Sequence, residues 1–293
     1  MLSIRTNMSS FRATRSMHIA SAGMERNVAK LSSGFRITRS SDDAAGLSVS
    51  TNLRSQINSY KMAARNAQDA ISVLQTADAA MDESANVLIR LRELTIQAAS
   101  DSLMPQERQY LSQEVQQLAG ELDRIANSAE YNGKTLLKDP PELQFQLGIR
   151  GKADDTVSLQ FQDATLNGLG LSSATAAASA FGKQFSTHAG QTDNALATSG
   201  FRGLLSRLDG AIEVVSERRA HLGATENRLE SARNTLFVAM ESAQQSNARI
   251  RDVDVASESA SLSANQVLQQ AGVSMLAQAN QLPQTAVQLM RGG

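Results

Sequence analysis

FRGLLSRLDGAIEVVSERRAHLGATENRLESARNTLFVAMESAQQSNARI, residues 201–250, is the stretch on which the fold turns. Phe201, Leu208, Val215, Leu222, Leu229, Leu236, Ala243 and Ile250 recur every seven residues, and Leu204, Leu205, Ala211, Ile212, Ala232, Ala239 and Met240 fill much of a second stripe beside them. Two apolar stripes at heptad spacing are the signature of a helix that packs along other helices. At a rise of about 1.5 Å per residue this helix is about 75 Å long. Arg218 or Arg219, Glu226 and Asn247 interrupt its seam, weakening the packing while fixing the register.

Working upstream, residues 63–100 repeat the design with Ala67, Ala70, Leu74, Ala77, Met81, Leu88, Leu91 and Ala98. A third helix opens at Pro105, is lined by Leu111, Val115, Leu118, Leu122 and Ile125, and stops before the Asn132-Gly133 turn. Three helices with matching narrow seams predict one rod-shaped bundle. Between the third helix and the long one the period changes to two. Leu143, Phe145, Leu147 and Ile149 alternate, GKADD turns the chain, and Val157, Leu159 and Phe161 alternate again, which predicts a β-hairpin lying on the bundle. Residues 172–200, rich in Ala, Ser, Thr and Gly, read as an exposed low-complexity connection.

The two ends are helical and weak. In VLQQAGVSMLAQANQLPQTAVQLM, residues 267–290, Leu268, Met275, Leu282 and Leu289 lie seven apart, with Gly272, Ala279 and Ala286 between them. Glutamines surround this narrow stripe and Pro283 removes a backbone donor from it. Met17, Ser21, Met24, Val28 and Leu31 form a similar stripe near the N-terminus. Such helices bury too little to stand alone. The expectation is a mainly α, nested chain: residues 1–42 and 253–293 pair with each other, 43–171 and 201–252 build the bundle, and association between chains completes the ends.

Composition agrees with elongated helices: 41% of residues are hydrophobic but only 4% aromatic, with no tryptophan. Twenty-eight basic residues balance 29 acidic ones, so no overall field recruits nucleic acid or an anionic membrane. The basic bias of residues 1–40 belongs to a solvated helix face. Absence of cysteine excludes disulfides, thiol catalysis and thiolate metal sites. No apolar run has the length of a membrane span, and MLSIRTNMSSFRATRS lacks the core of a secretory signal.

Chemistry is hard to find. His18, His188 and His221 fall in separate segments, and no phosphate-binding, dinucleotide, nucleophile-elbow or zinc-protease motif is present. In SDDAAG, residues 41–46, the carboxylates read as caps of a following helix, with Ser41 or Asp42 accepting its free amides and Gly34 ending the helix before. No catalytic, cofactor or metal site is expected. One stretch is unusual: in NVLIRLRELTIQAAS, residues 86–100, Leu88 and Leu91 point inward while Arg90, Glu93, Leu94 and Gln97 fall on outward positions, where a leucine suits another subunit.

Four segments resemble bacterial flagellin: LSSGFRITRSSDDAAGLSVS (31–50), ARNAQDAISVLQTADAAMDE with the following RLRELTIQAAS (64–100), ARIRDVDVASES (248–259) and VLQQAGVSMLAQANQLPQ (267–284). The hairpin LQFQLGIRGKADDTVSLQF also resembles that family's inner rod domain. The resemblance implies a filament subunit with no enzymatic activity and no cofactor. It is a short form in which residues 172–200 replace the outer domains. The paired ends would line the filament channel and the remainder would form the rod domain outside them. The partners it implies are further copies of the chain and other flagellins, the flagellar export apparatus, a flagellin chaperone, and the filament cap and hook-associated proteins. The location would be the flagellum, external, sheathed or periplasmic.

By the same resemblance, export is unfolded and the ends fold only on assembly. The assembly seam falls on Leu208, Leu222, Leu229, Leu268, Met275, Leu282 and Leu289, and recognition by the vertebrate Toll-like receptor 5 falls on Arg90, Leu94 and Glu114. Ile89 and the terminal Arg291-Gly292-Gly293 depart from the family pattern. The nearest rival is the hook-filament junction protein, which shares the adhesive ends without polymerising indefinitely. A soluble receptor ligand or adhesin is the rival of another class, and it needs a folded outer domain that residues 172–200 offer little material for.

Overall fold

The computed structural model describes residues 7–171, 186–189 and 194–291, with side chains described as far as residue 281 except over 190–199. Its elements are α1 (Met8–Ser33), α2 (Ala44–Ala98), α3 (Pro105–Ser128), β1 (Glu130–Tyr131), β2 (Lys134–Thr135), β3 (Leu143–Gln146), β4 (Thr156–Leu159), α4 (Asn194–Arg251) and α5 (Val255–Arg291). A 3-10 turn at Ala153–Asp155 leads into β4. The chain divides into two compact units, residues 1–58 with 240–293, and residues 59–239.

The second unit contains the predicted bundle. Leu74, Met81, Leu88 and Leu91 of α2, Val115 and Leu122 of α3, and Phe201, Leu208, Val215, Leu222 and Leu229 of α4 form one buried cluster. Ion pairs and hydrogen bonds fix α2 antiparallel to α4. Arg219 Nε donates to Asp78 Oδ1 at 2.9 Å, Arg92 Nε donates to Asp209 Oδ1 at 2.6 Å, and Gln75 Nε2 donates to Glu226 Oε1 at 2.8 Å. Arg219 and Glu226 therefore hold register as the spacing suggested. Arg218 turns away to donate to the carbonyls of Asp163 (2.7 Å) and Gly168 (3.2 Å), securing the loop after the hairpin.

The hairpin forms in the expected register, Leu143 opposite Leu159 and Phe145 opposite Val157. Its ladder ends at Gln146 because Asp155 gathers the turn: its carbonyl accepts from Leu147 and Gly148 N–H groups at 2.8 Å each, and its carboxylate from Arg150 N–H at 3.0 Å. Leu143, Leu147, Leu159 and Phe161 join the bundle's core, so the helices supply the burial that a lone hairpin lacks.

In the first unit, α1 starts at Asn7, whose Oδ1 accepts from Ser10 N–H, and ends at Gly34 in the left-handed region (φ 74°), with its N–H on Lys30 O. The cap of α2 is Asp43, whose Oδ1 accepts from Gly46 N–H at 2.9 Å. Asp42, expected in that role, folds back instead: its Oδ2 accepts from Thr38 N, Thr38 Oγ1 and Arg39 N at 3.0–3.1 Å. Two helix limits also move. Helix α2 begins at Ala44 and not near 63, since its first turns pack through polar groups such as Ser50, which donates to Asn247 Oδ1 at 2.7 Å. Helix α4 begins at Asn194, inside the stretch assigned to a loop; residues 172–185 and 190–193 of that stretch lie outside the described residues.

An antiparallel clasp ties the chain together where α1 leaves and α5 begins. Arg36 N–H donates to Arg251 O at 2.7 Å, Val253 N–H to Gly34 O at 3.0 Å, and the Arg251 guanidinium lies 4.2 Å from the centre of the Phe35 ring.

The amides of Arg39 and Thr38 and the Thr38 hydroxyl hold the Asp42 carboxyl below its ordinary value of 3.8. A depressed folded-state pKa means that its contribution is present above about pH 3.8 and is lost as pH falls through the lower, folded value. Protection of Thr38 and Arg39 N–H against hydrogen exchange, taken relative to the intrinsic rate at each pH, is expected to fall across that acidic window, and Asp42→Asn to flatten the dependence.

Candidate assembly surface

Helices α1 and α5 run antiparallel, and their inner face mixes small and polar residues with a few apolar ones. The residues of α5 turned toward α1 are Glu258, Leu262, Asn265, Gln269, Gly272, Leu276 and Ala279, at alternating spacings of four and three. Opposite them on α1 lie the buried Ala20, Gly23 and Asn27. Lys30 Nζ meets Glu258 Oε1 at 3.7 Å, and Asn7 Nδ2 donates to Ala279 O at 2.7 Å at the far end.

Asn27 is 8% exposed and sits in the middle of this face. Oriented so that each amide atom meets a complementary partner, it donates to Glu258 Oε1 and Gly23 O at 3.0 Å and accepts from Leu262 N at 3.0 Å and Asn265 Nδ2 at 3.3 Å. A Cβ on Gly23 would stand 2.8 Å from Asn265 Nδ2, so a larger residue there would displace that amide.

Nine large apolar side chains of the pair lie outside this face. Met8, Phe11, Ile19 and Val28 of α1, with Val255, Val267, Leu268, Val273 and Met275 of α5, are all more than half exposed. Apolar surface left in water is a driving force waiting for a partner, on the order of 1 kcal/mol for each half-exposed side chain that becomes covered.

The seam expected from sequence thus splits. Leu268 (59% exposed) and Met275 (60%) are available to another molecule. Leu208, Leu222 and Leu229 are not: they are buried in the core that α2, α3, α4 and the hairpin share. Leu282 and Leu289 belong to α5, but their side chains lie outside the described residues. Periodicity missed Asn27 and Asn265 as the pair's central contact, since a polar seam carries no hydrophobic signal.

A second surface lies on α2 and α3. Arg90 bridges the two helices, with Nη2 2.8 Å from Glu114 Oε1 and Nη1 3.1 Å from Glu93 Oε2. The hydrogen bond with Glu114, then that with Glu93, raises the Arg90 pKa. Arg90 and Glu114 are therefore neighbours at the surface. Leu94 is not an outward residue: it is 1% exposed. Its stripe of α2 is covered because α2 packs against two helices and not one. The exposed apolar residues near it in sequence are Ile89 and Ile96.

Among the described residues no group of His, Cys, Asp and Glu could hold a metal ion, and no helix is long and apolar enough to cross a membrane.

The exposure pattern separates two kinds of leucine. Leu222→Ala, which empties a filled core position, is expected to destabilise the monomer by about 2–5 kcal/mol, whereas Leu268→Ala should change it by about 0.5 kcal/mol or less. Urea unfolding of the two monomeric variants measures the difference.

Residues 4–140 match the bacterial flagellin N-terminal helical region, and residues 205–290 match the bacterial flagellin C-terminal helical region. The chain is 37% identical to the flagellin of Bacillus subtilis, covering 98% of this chain and 99% of that one. It is 36% identical to the flagellar filament 33 kDa core protein of Treponema phagedenis, with the same coverage. Among solved structures it is similar to Bacillus cereus flagellin, at 27% identity and a TM-score of 0.45, over 59% of this chain and 88% of that one.

Proposed function

Because the chain belongs to the bacterial flagellin family and is a structural subunit of the flagellar filament, we propose that the outward apolar residues of α1 and α5 are the contacts by which neighbouring subunits hold one another. The observation that carries this reading is the apolar surface that the pairing leaves uncovered: Phe11, Ile19, Val28, Leu268 and Met275 all stay more than half exposed. A helical polymer repeats one contact along its length, so each subunit's exposed face is covered by the next.

On this reading residues 1–42 and 253–293 form the inner, channel-lining domain, and residues 43–171 and 201–252 the rod domain outside it. Pairing that leaves so much apolar surface in water is marginal in one chain, which suits passage through the flagellar export apparatus in an unfolded state and escort by a flagellin chaperone until assembly beneath the filament cap. Hook-associated proteins, which share adhesive ends of this kind, would meet the same face.

Vertebrate Toll-like receptor 5 would meet the Arg90–Glu114 surface on monomers. Leu94, lying beneath it, would support that surface from the core and not touch the receptor directly.

Met275→Asp places a charge where a neighbouring subunit would bury it. The variant is expected to stay monomeric under seeding or salting-out conditions in which the unaltered chain forms filaments by electron microscopy, with its urea midpoint unchanged. Normal filaments from Met275→Asp would remove Met275 from the interface.

A further inference from the structure

From Ser259 to Met290 the sequence holds no charged side chain and no histidine, so a change of pH leaves the polarity of nearly all of α5 untouched. The chain also has no cysteine, which leaves the methionine thioether as its one kind of sulfur group open to oxidation. Among the described side chains of α5 that group occurs once, at Met275. Met275 shares a stripe with Leu268, seven residues before it, and is 60% exposed. Its neighbours one turn away along the helix, Ala271 and Ala279, are too small to cover the sulfur.

We propose that Met275 is an oxidation site that controls entry of the subunit into the filament: the free subunit is open to peroxides there, and the growing polymer excludes the sulfoxide. The proposal rests on the assembly role argued above for Leu268 and Met275. The step needs only a peroxide as co-reactant. With hydrogen peroxide, the Met275 sulfur attacks one oxygen, and an S–O bond forms as the O–O bond breaks. The departing hydroxide takes the proton of the transferred oxygen and leaves as water. Sulfur is oxidised by one electron pair, and the peroxide is reduced by the same pair.

The product carries a polar acceptor oxygen where an apolar thioether stood. In the contact argued for Met275 that oxygen would exchange water for apolar side chains, a costly burial for an unpaired polar group. Placement separates Met275 from the other methionines. Met81 is buried in the core of the bundle, and Met104, although 71% exposed, belongs to the other unit. Met17 is turned toward Gly272 within the chain. Met8 is exposed but is the first residue of α1, where a frayed helix end can turn aside.

The test lets each methionine report on itself. The full chain is treated as monomer with a limiting dose of hydrogen peroxide and then seeded. Filaments are separated from unincorporated subunits by sedimentation, and the sulfoxide at each methionine is measured in both fractions by peptide mass spectrometry. Met275 and Met104 are expected to oxidise ahead of Met81. Met275 sulfoxide is expected to be depleted about tenfold in the filaments, with Met104 sulfoxide spread evenly. Methionine sulfoxide reductases should return the unincorporated fraction to growth. Met275→Leu, which nearly keeps the volume and removes the sulfur, should still grow after the same treatment.

An even spread of Met275 sulfoxide overturns the proposal. So does a depletion that Met104 sulfoxide matches, or loss of growth by peroxide-treated Met275→Leu. The assembly reading is scored separately, by the rate at which Met275 oxidises once filaments have formed. A rate as high as in the monomer removes Met275 from the interface, and both readings fall. A lower rate together with an even spread of sulfoxide sinks this proposal alone.

Discussion

The structure depends on one mismatch between two helices. Where α1 meets α5, glycine, alanine and a buried amide cluster share the contact with partly buried Leu262 and Leu276, while Phe11, Ile19, Val28, Leu268 and Met275 remain in water. A soluble protein complete in itself would place these groups the other way round, because covering large apolar side chains is the main favourable contribution to folding. On the proposed assembly, that contribution is deferred to the contact between copies. In the unit of residues 59–239 a large cluster of leucines is covered within the chain, and ion pairs such as Arg219 with Asp78 and Asp82 fix the register of its helices.

Division of labour follows. One unit is finished within the chain and carries the hairpin and the Arg90–Glu114 surface. The other brings together the two ends of the sequence through a clasp, a buried amide cluster and an ion pair between Lys30 and Glu258. Polar contacts of this kind contribute little net stability but penalise wrong geometry, since a displaced amide loses its partners in a place where water cannot replace them. Weak pairing with a defined face is what a subunit needs if it must stay separate until it meets its own polymer.

How much of this could be read from the sequence depended on the residue types at each contact. The heptads of residues 201–250 and the alternation of residues 143–161 are written in large aliphatic side chains, and both elements form as expected. The first turns of α2 were missed because they pack through polar groups such as Ser50, which leave no apolar period. Leu94 was misplaced because a one-dimensional pattern does not say that α2 is covered on two sides. In α5 the stripe of Leu268 and Met275 was visible, but periodicity cannot tell a face turned to the chain's own helix from one turned to a neighbour. Asp43 took the capping role expected of Ser41 or Asp42 because Asp42 was already engaged by Thr38 and Arg39.

The most direct test of the deferred burial is hydrogen–deuterium exchange of the same protein as monomer and as filament. Slow exchange gained on assembly throughout residues 8–33 and 255–281, with residues 201–239 already protected in the monomer, is the result expected if the ends are stabilised by their neighbours. Equal protection of the terminal helices in both states would mean that their pairing is complete within one chain, contradicting the account.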